Sequence, residues 1–355
     1  MIGGMELKLS MVISAAAAAA VLTACSSGTK TVSEVQPTTS AVSPESVVFS
    51  WQQAYEEKLN SFRSSDKYVP GTSGSMFDLH DLDGDGTPEL VISPSAENDA
   101  ACEIYTMSGS SAVLVGTSGT KGTFGFIPAQ KAISFWYNGK NFELREFFAV
   151  KEGKLVTLKK FYNNRSAVSS GGRMNYEIDN ETVRVAEYER VLAGFTSDTE
   201  LRIGRKFTFA DQSLNYAVHY SESWGAVLTE QQKEFYTSVL TERLADGSAD
   251  AAYELCDIDH DNVPELIYSE GGHNGAVCTV YRTDGFTISQ TAAIPTRDGR
   301  LAFDPQNNIC YDFTSRVSEV YAADGTASGT APSDNMVMCG RKYILREDTL
   351  ADAFR

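Results

Sequence analysis

The stretch FDLHDLDGDGTPELVIS, residues 77–93, sets Asp81, Asp83 and Asp85 at alternate positions between two apolar runs. The chain repeats it as YELCDIDHDNVPELIYS, residues 253–269, at an offset of 257 − 81 = 176 positions, and 8 of the 17 aligned residues are identical. Alternate aspartates in a tight turn direct their carboxylates toward one point, and a hard cation such as calcium takes about 6 to 8 oxygens. Gly86 follows as the sixth residue of the first turn, the Thr87 carbonyl falls seventh and Glu89 ninth. The second turn supplies Asp257, Asp259, Asp261, the Val263 carbonyl and Glu265, with Asn262 in place of the turn glycine. Asparagine tolerates a left-handed backbone better than other non-glycine residues. Carboxylates this close repel by about 1 kcal/mol per pair in water, so a turn made only to reverse the chain gains nothing from them. The spacing points to two cation sites that hold calcium for structure.

Position 12 of the first turn is Ile92, where an EF-hand needs a bidentate glutamate. Pro88 disfavours helical geometry at Thr87, and the partly β-branched run Glu89-Leu90-Val91-Ile92 reads as a strand. A DxDxDGxxE loop entered and left by strands resembles the calcium hairpins of FG-GAP and VCBS-type repeats. The resemblance implies ligation by Asp81, Asp83, Asp85, Thr87 and Glu89, and by Asp257, Asp259, Asp261, Val263 and Glu265. The wider pattern, an amphipathic helix ahead of an acidic hairpin, is similar to modules in secreted lipoproteins of Gram-positive bacteria.

The same offset aligns Cys102-Glu103-Ile104-Tyr105 with Cys278-Thr279-Val280-Tyr281, and Gly109 with Gly285. Phe126 and Phe303 open a further match that needs one extra residue, and Gly172-Arg173 with Tyr176 pair with Gly340-Arg341 and Tyr343 near the end of each half. Upstream, WQQAYEEKLNSF and QQKEFYTSVLTERL carry apolar residues at helical spacing, Tyr55 with Leu59 and Phe235 with Val239. Strand-like runs AISFWY, FELREFFAV and KLVTLKKF follow the first hairpin, and VAEYERVLAGF and EDTLADAFR close the halves as short helices. The expected fold class is therefore α+β, in two tandem modules of one amphipathic helix and a mainly antiparallel sheet. Module 1 spans 47–200, a polar connector 201–223, and module 2 spans 224–355.

At the amino terminus an apolar run from Met11 to Leu22 follows a single lysine. It is shorter than the roughly 20 residues of a membrane span and has the form of an export signal, 1–24. Leu22-Thr23-Ala24-Cys25 resembles the lipobox of bacterial lipoproteins, which implies lipidation of Cys25 and anchoring on the extracytoplasmic face of the cell membrane. Residues 25–46, rich in Ser, Thr and Pro, then read as a flexible tether.

A net charge of −17 with no basic run argues against nucleic acid as a partner. Beyond Cys25 the chain has five cysteines, Cys102, Cys256, Cys278, Cys310 and Cys339, without the close pairs of a zinc site. An odd number leaves at least one thiol free or intermolecular, and the pairing of the rest stays open. Neither HExxH nor GxSxG occurs, and the histidines His80 and His260 near the loops do not correspond to each other. The expectation is a non-enzymatic, calcium-stabilised surface lipoprotein that binds or scaffolds. A glycan- or peptide-binding protein of an uptake or attachment system, with cell-wall glycan or protein as ligand, is the first alternative. A secreted hydrolase with an unrecognised site is the second.

Overall fold

Ser50 caps the first helix, accepting a hydrogen bond from the Gln53 amide, and helix α1 (Trp51–Arg63) turns Tyr55, Leu59 and Phe62 into the core at the i, i+4, i+7 spacing of one helical face. The computed structural model describes residues 50–355 apart from 72–73, 96–100, 119–123, 165–174, 197–199, 223, 260, 297, 306–308, 313–318, 323–326, 330–334 and 355. The signal, Cys25 and the tether thus lie outside the described residues, as do His260 and Gly172-Arg173.

The acidic hairpin follows α1 as strands β1 (Met76–His80) and β2 (Glu89–Ser93), continued by β3 (Cys102–Ser108) and β4 (Ser111–Ser118). Next come β5 (Phe124–Ile127), β6 (Ala132–Asn138), β7 (Phe142–Lys151), β8 (Lys154–Asn164), β9 (Asn175–Ile178) and β10 (Glu181–Val183). Helix α2 (Val185–Thr196) lays Tyr188 and Phe195 against Phe147 and Phe161 of β7 and β8. Strands β11 (Leu201–Ile203) and β12 (Phe207–Thr208), then helices α3 (Asp211–His219) and α4 (Trp224–Val227), lead to α5 (Glu230–Ala245). The second half continues with β13 (Ala252–Cys256), β14 (Glu265–Ser269), β15 (Val277–Thr283), β16 (Ile288–Pro295) and β17 (Leu301–Asp304). It ends with β18 (Ile309–Asp312), β19 (Glu319–Ala322), β20 (Ala327–Gly329), β21 (Val337–Cys339), β22 (Tyr343–Ile344) and two 3₁₀ turns, Glu347–Thr349 and Asp352–Phe354.

The fold class is α+β, with all strand pairs antiparallel among the described residues. The strands form three sheets: β20-β19-β18-β17-β21-β12-β1-β2-β3-β4, β10-β9-β8-β7-β6-β5-β11 and β16-β15-β14-β13-β22. The first sheet takes strands from both ends of the chain, joined where Phe207 of β12 pairs with Val337 of β21. One hydrophobic cluster likewise contains Tyr55, Leu59, Phe77 and Phe207 together with Tyr236, Tyr253, Phe303 and Val337. All of this belongs to one compact unit, Val48–Arg355.

Three sequence readings need correction. Residues 201–223 are no polar connector: Leu201, Ile203, Phe207, Phe209, Leu214 and Tyr216 are buried, because the alternating run Leu201-Arg202-Ile203 and the aromatics of Phe207-Thr208-Phe209 are core strand sequence. In α5 the core residue is Tyr236, one position after Phe235, which is only half-buried. The structural counterpart of Gly340-Arg341-Lys342-Tyr343 is Gly204-Arg205-Lys206-Phe207, in place of the segment from Gly172. Phe77 pairs with Phe207 as Tyr253 pairs with Tyr343. The Gly204 amide donates to Asp78 Oδ2 at 2.9 Å as the Gly340 amide donates to Glu254 Oε2 at 2.8 Å. Arg205 Nη1 donates to the Gly74 carbonyl at 3.0 Å, and Arg341 Nη1 to the Asp250 carbonyl at 2.9 Å. Gly204 and Gly340 sit at φ 97° and 103°, which a side chain rarely adopts. The offset here is 340 − 204 = 136 positions in place of 176, which takes the motif out of the register of the hairpin repeat.

Cys102, Cys256, Cys278 and Cys339 are buried free thiols, and burial pushes Cys102 up to about 11 and Cys278 up to about 12. Among the described residues no helix is long and apolar enough to cross a membrane.

Where the halves meet, Lys206 is buried against Glu254, and Asp78 faces it from β1. Burial alone would lower the lysine; the carboxylates of Glu254 and Asp78 outweigh it and hold Lys206 protonated. Removing one member of a buried pair strands the other charge and costs about 3–5 kcal/mol. Lys206→Met should therefore destabilise the protein by about that much, and Lys206→Met combined with Glu254→Gln by clearly less. Denaturant titration of both variants checks this; equal losses would mean the pair is not coupled.

Candidate metal centres

Each acidic turn hangs from two buried strands. Strands β2 and β14 are buried along their whole length, and His80↔Glu89 and Cys256↔Glu265 are the last pairs before the turns. The glutamate of each Pro-Glu-Leu is thereby carried inward, to 0% exposure for Glu89 and 3% for Glu265. Each accepts on Oε2 the amide of the residue after the first aspartate: Leu82 to Glu89 and Ile258 to Glu265, both at 2.8 Å. Helices clamp the turns from behind, since the Tyr55 hydroxyl donates to the Pro88 carbonyl at 2.8 Å and the Tyr236 hydroxyl to the Pro264 carbonyl at 2.7 Å.

Within the turns the aspartates orient one another through backbone amides. In the first, Asp81 Oδ2 accepts from the Gly86 amide at 3.1 Å, Asp83 Oδ1 from Asp85 at 3.1 Å, and Asp85 Oδ1 from Thr87 at 2.7 Å. In the second, Asp257 Oδ2 accepts from Asn262 at 3.2 Å, Asp259 Oδ1 from Asp261 at 3.3 Å, and Asp261 Oδ1 from Val263 at 2.8 Å. Gly86 has φ 88° and Asn262 φ 66°, so the asparagine adopts the left-handed backbone that the glycine position requires. The substitution leaves the loop's geometry intact.

Asp81, Asp83 and Asp85 bring ligand atoms within 4.8 Å of one another; Glu89 is not of that group, its Oε1 accepting from Thr106 Oγ1 at 2.9 Å. In the second loop the group is Asp257, Asp259 and Glu265. Arg282 on β15 bridges Asp261 and Asp259: Nη2 lies 2.5 Å from Asp261 Oδ2 and Nη1 2.6 Å from Asp259 Oδ2. Sequence reading missed this guanidinium, although β15 pairs Tyr281 with Leu266 as β3 pairs Tyr105 with Leu90, which puts Arg282 where the first half has Thr106.

A cation fits this donor set. A carboxylate has about four lone-pair sites, so an aspartate oxygen that accepts one amide keeps capacity for a metal. Glu265 Oε1 is a buried oxygen with no hydrogen-bond partner, which a nearby cation would satisfy. Thr87 and Val263 follow the third aspartate of each loop, and Glu89 lines the base of the first. Burial, then the neighbouring aspartates, push Glu89 up to about 7 and Glu265 up to about 8. His80 beside the first loop packs edge-on to Phe126, 4.8 Å between ring centroids, and burial with the Lys342 charge pulls it down to about 3.

Comparison with known proteins gives no match to a family model, to a curated protein or to a solved structure.

The two glutamates make a pH signature. A carboxyl whose folded-state pKa lies above its unfolded value of 4.5 binds protons on folding, so its contribution is full below about 4.5 and is lost as pH rises through about 7 for Glu89 and about 8 for Glu265. His80, at about 3 folded and 6.5 unfolded, acts oppositely and has finished above pH 6.5. In chelator the melting temperature should therefore fall between about pH 6.5 and 8.5, and less steeply in Glu265→Gln. A flat profile in the wild type would show that these carboxyls ionise freely in the fold.

Proposed function

We propose that this chain is a non-enzymatic surface module, held on the outer face of the cell membrane by a lipid at Cys25, whose two acidic hairpins carry calcium. The observation that carries the reading is the repeated hairpin: the same carboxylates, the same amide donors and the same buried glutamate recur 176 residues apart on the same strand pair. We further infer that each half is one copy of a helix–hairpin–sheet unit, in which the Gly-Arg-Lys turn returns to the first hairpin strand. A strand-to-strand loop with three aspartates suits calcium, which accepts irregular oxygen cages, better than magnesium, which keeps its octahedral waters. The ligands would be Asp81, Asp83, Asp85, the Thr87 carbonyl and Glu89 in one loop. In the other they would be Asp257, Asp259, Asp261, the Val263 carbonyl and Glu265. Bound there, the cation would neutralise the crowded turn and fix the ends of two core strands.

A role in binding glycan or peptide from the cell wall is a second reading, favoured by a cleft of about 190 Å³ beside the second loop. Gln212, Asn215, Tyr216 and Tyr220 line it together with Asp257 and Asn262. Side-chain amides and the exposed Tyr220 ring suit hydroxyl-rich ligands. On β6 Phe135 is buried, while Trp136 is exposed with the Arg145 guanidinium 4.7 Å from its ring.

Extracellular calcium modules bind at roughly 10⁻⁴ to 10⁻³ M, and ligand at about ten times the dissociation constant stabilises by about 1.4 kcal/mol per site. Calcium should accordingly raise the melting temperature by several degrees over chelator, magnesium should restore little, and Asp81→Ala should remove most of the first loop's share. Superimposable calorimetric traces with calcium and chelator would refute the reading. Anchoring is tested separately by Cys25→Ala, which should move the protein from the detergent phase to the aqueous phase or leave it unprocessed; unchanged partitioning and trimming would exclude lipidation.

A further inference from the structure

Thr106 and Arg282 occupy the same place in the two halves and act differently on the acidic loops. Thr106 donates to Glu89 Oε1 at 2.9 Å, occupying the buried glutamate and leaving the aspartates to one another. Arg282 instead reaches past Glu265, whose Oε1 has no hydrogen-bond partner, and grips Oδ2 of both Asp259 and Asp261. Among the described residues no lysine or arginine makes an ion pair with Asp81, Asp83 or Asp85. The second loop thus has a cation of its own, tethered on β15, holding two of the carboxylates that would ligate calcium. The Arg282 side chain is 44% exposed, so it can turn out to solvent without opening the core.

We propose that Arg282 is a gate on the second loop: calcium binds there only by displacing the guanidinium from Asp259 and Asp261, so that the first loop fills at lower calcium and the second answers only to higher concentrations. The proposal rests on the calcium reading above and adds an order of filling to it. Its physical basis is exchange. A divalent ion at the centre of Asp257, Asp259 and Glu265 would place a double positive charge beside the guanidinium, and the two cations repel while competing for the same oxygens. Glu265, buried with one oxygen unbonded, gives calcium a ligand that Arg282 does not use, which is what lets the ion win at high concentration. The first loop has a tethered cation too, but Lys131 Nζ donates to the Asp83 carbonyl at 2.6 Å and forms no ion pair with the three carboxylates, so calcium has no carboxylate-bound cation to displace there.

Titration calorimetry with calcium chloride on the full chain tests this, with Asp81→Asn used to silence the first loop and circular dichroism to verify that each variant is folded. Asp81→Asn should bind weakly; adding Arg282→Thr, the residue of the other half, should tighten binding about tenfold, the scale that two half-exposed ion pairs supply. Arg282→Lys keeps the charge but loses the two-pronged grip and should fall between. Conversely, Thr106→Arg in an Asp257→Asn background should weaken the first loop by a similar factor. The gate is overturned if Arg282→Thr leaves the second loop unchanged or weakens it, the latter meaning that the guanidinium supports the bound ion, while Asp257→Asn still binds calcium at the first loop. If no variant and not the wild type binds calcium, the calcium reading itself falls, and the gate with it.

Discussion

A carboxylate buried at the foot of each acidic hairpin, Glu89 in one and Glu265 in the other, is the constraint around which both hairpins are arranged. Strand pairing forces each inward, opposite His80 and Cys256, and burial makes the ionised form costly. The structure meets that demand first with one backbone amide, from Leu82 or Ile258, and this bond fixes where the turn begins. The turn then gathers three carboxylates, Asp81, Asp83 and Asp85 in one loop and Asp257, Asp259 and Glu265 in the other, and the left-handed residue at Gly86 or Asn262 makes the bend possible. The tyrosines of α1 and α5 close the arrangement by holding the carbonyl of the proline just before each glutamate. Helix, turn and strand thus meet around one buried carboxyl group in each half.

Much of this could be read from the sequence because its causes are local. Alternate aspartates, a glycine at the sixth place and an apolar run after Pro-Glu are contained in 17 residues, and so were the hairpins and their candidate ligands. Helices α1 and α5 were legible for the same reason, although the periodicity in α5 allowed Phe235 to stand for Tyr236, since either gives a helical face and only the Pro264 carbonyl distinguishes them. What could not be read is non-local. The pairing of Phe207 with Val337 joins residues 130 positions apart by 337 − 207, and no periodicity records which strand edges meet. Arg282 was invisible in the same way, because its meaning depends on β15 lying beside the second hairpin. The segment 201–223 was misread because about half of its residues are polar, whereas Arg205 and Lys206 are buried with partners distant in the chain, the Gly74 carbonyl and Glu254.

The two halves differ most where they are least constrained. Each buried glutamate accepts the same turn amide, and each Gly-Arg-Lys turn keeps the same glycine and arginine bonds, whereas Lys206 pairs with Glu254 and Lys342 with Glu222. The first half adds the long pair β7 and β8, with α2 packed on an aromatic face of Phe147, Phe161 and Tyr188. The position facing each loop from the third strand of its hairpin sheet is the half-buried Thr106, bonded to Glu89, in one half and the exposed Arg282 in the other, so the two loops differ in charge there. Such a position is where the two hairpins can differ in ionic behaviour at small structural cost.

The shared sheet bears on how any cation at these loops would act. Were the halves separate beads, ligation of one hairpin would stabilise only its own half. Here β12 and β21 are neighbours in one sheet, and Tyr55 and Tyr236, which clamp the two turns, lie in a single hydrophobic cluster. The buried Lys206 crosses the same boundary, belonging to the first half's Gly-Arg-Lys turn and paired with Glu254 of the second half's hairpin. Unfolding one half would expose a strand edge, an aromatic face and an unpaired charge of the other. Since each of these carries a penalty of order kcal/mol or more, the halves are driven to unfold together, and ligands at the two loops would act on one equilibrium, their contributions adding as independent sites on a common folded state do.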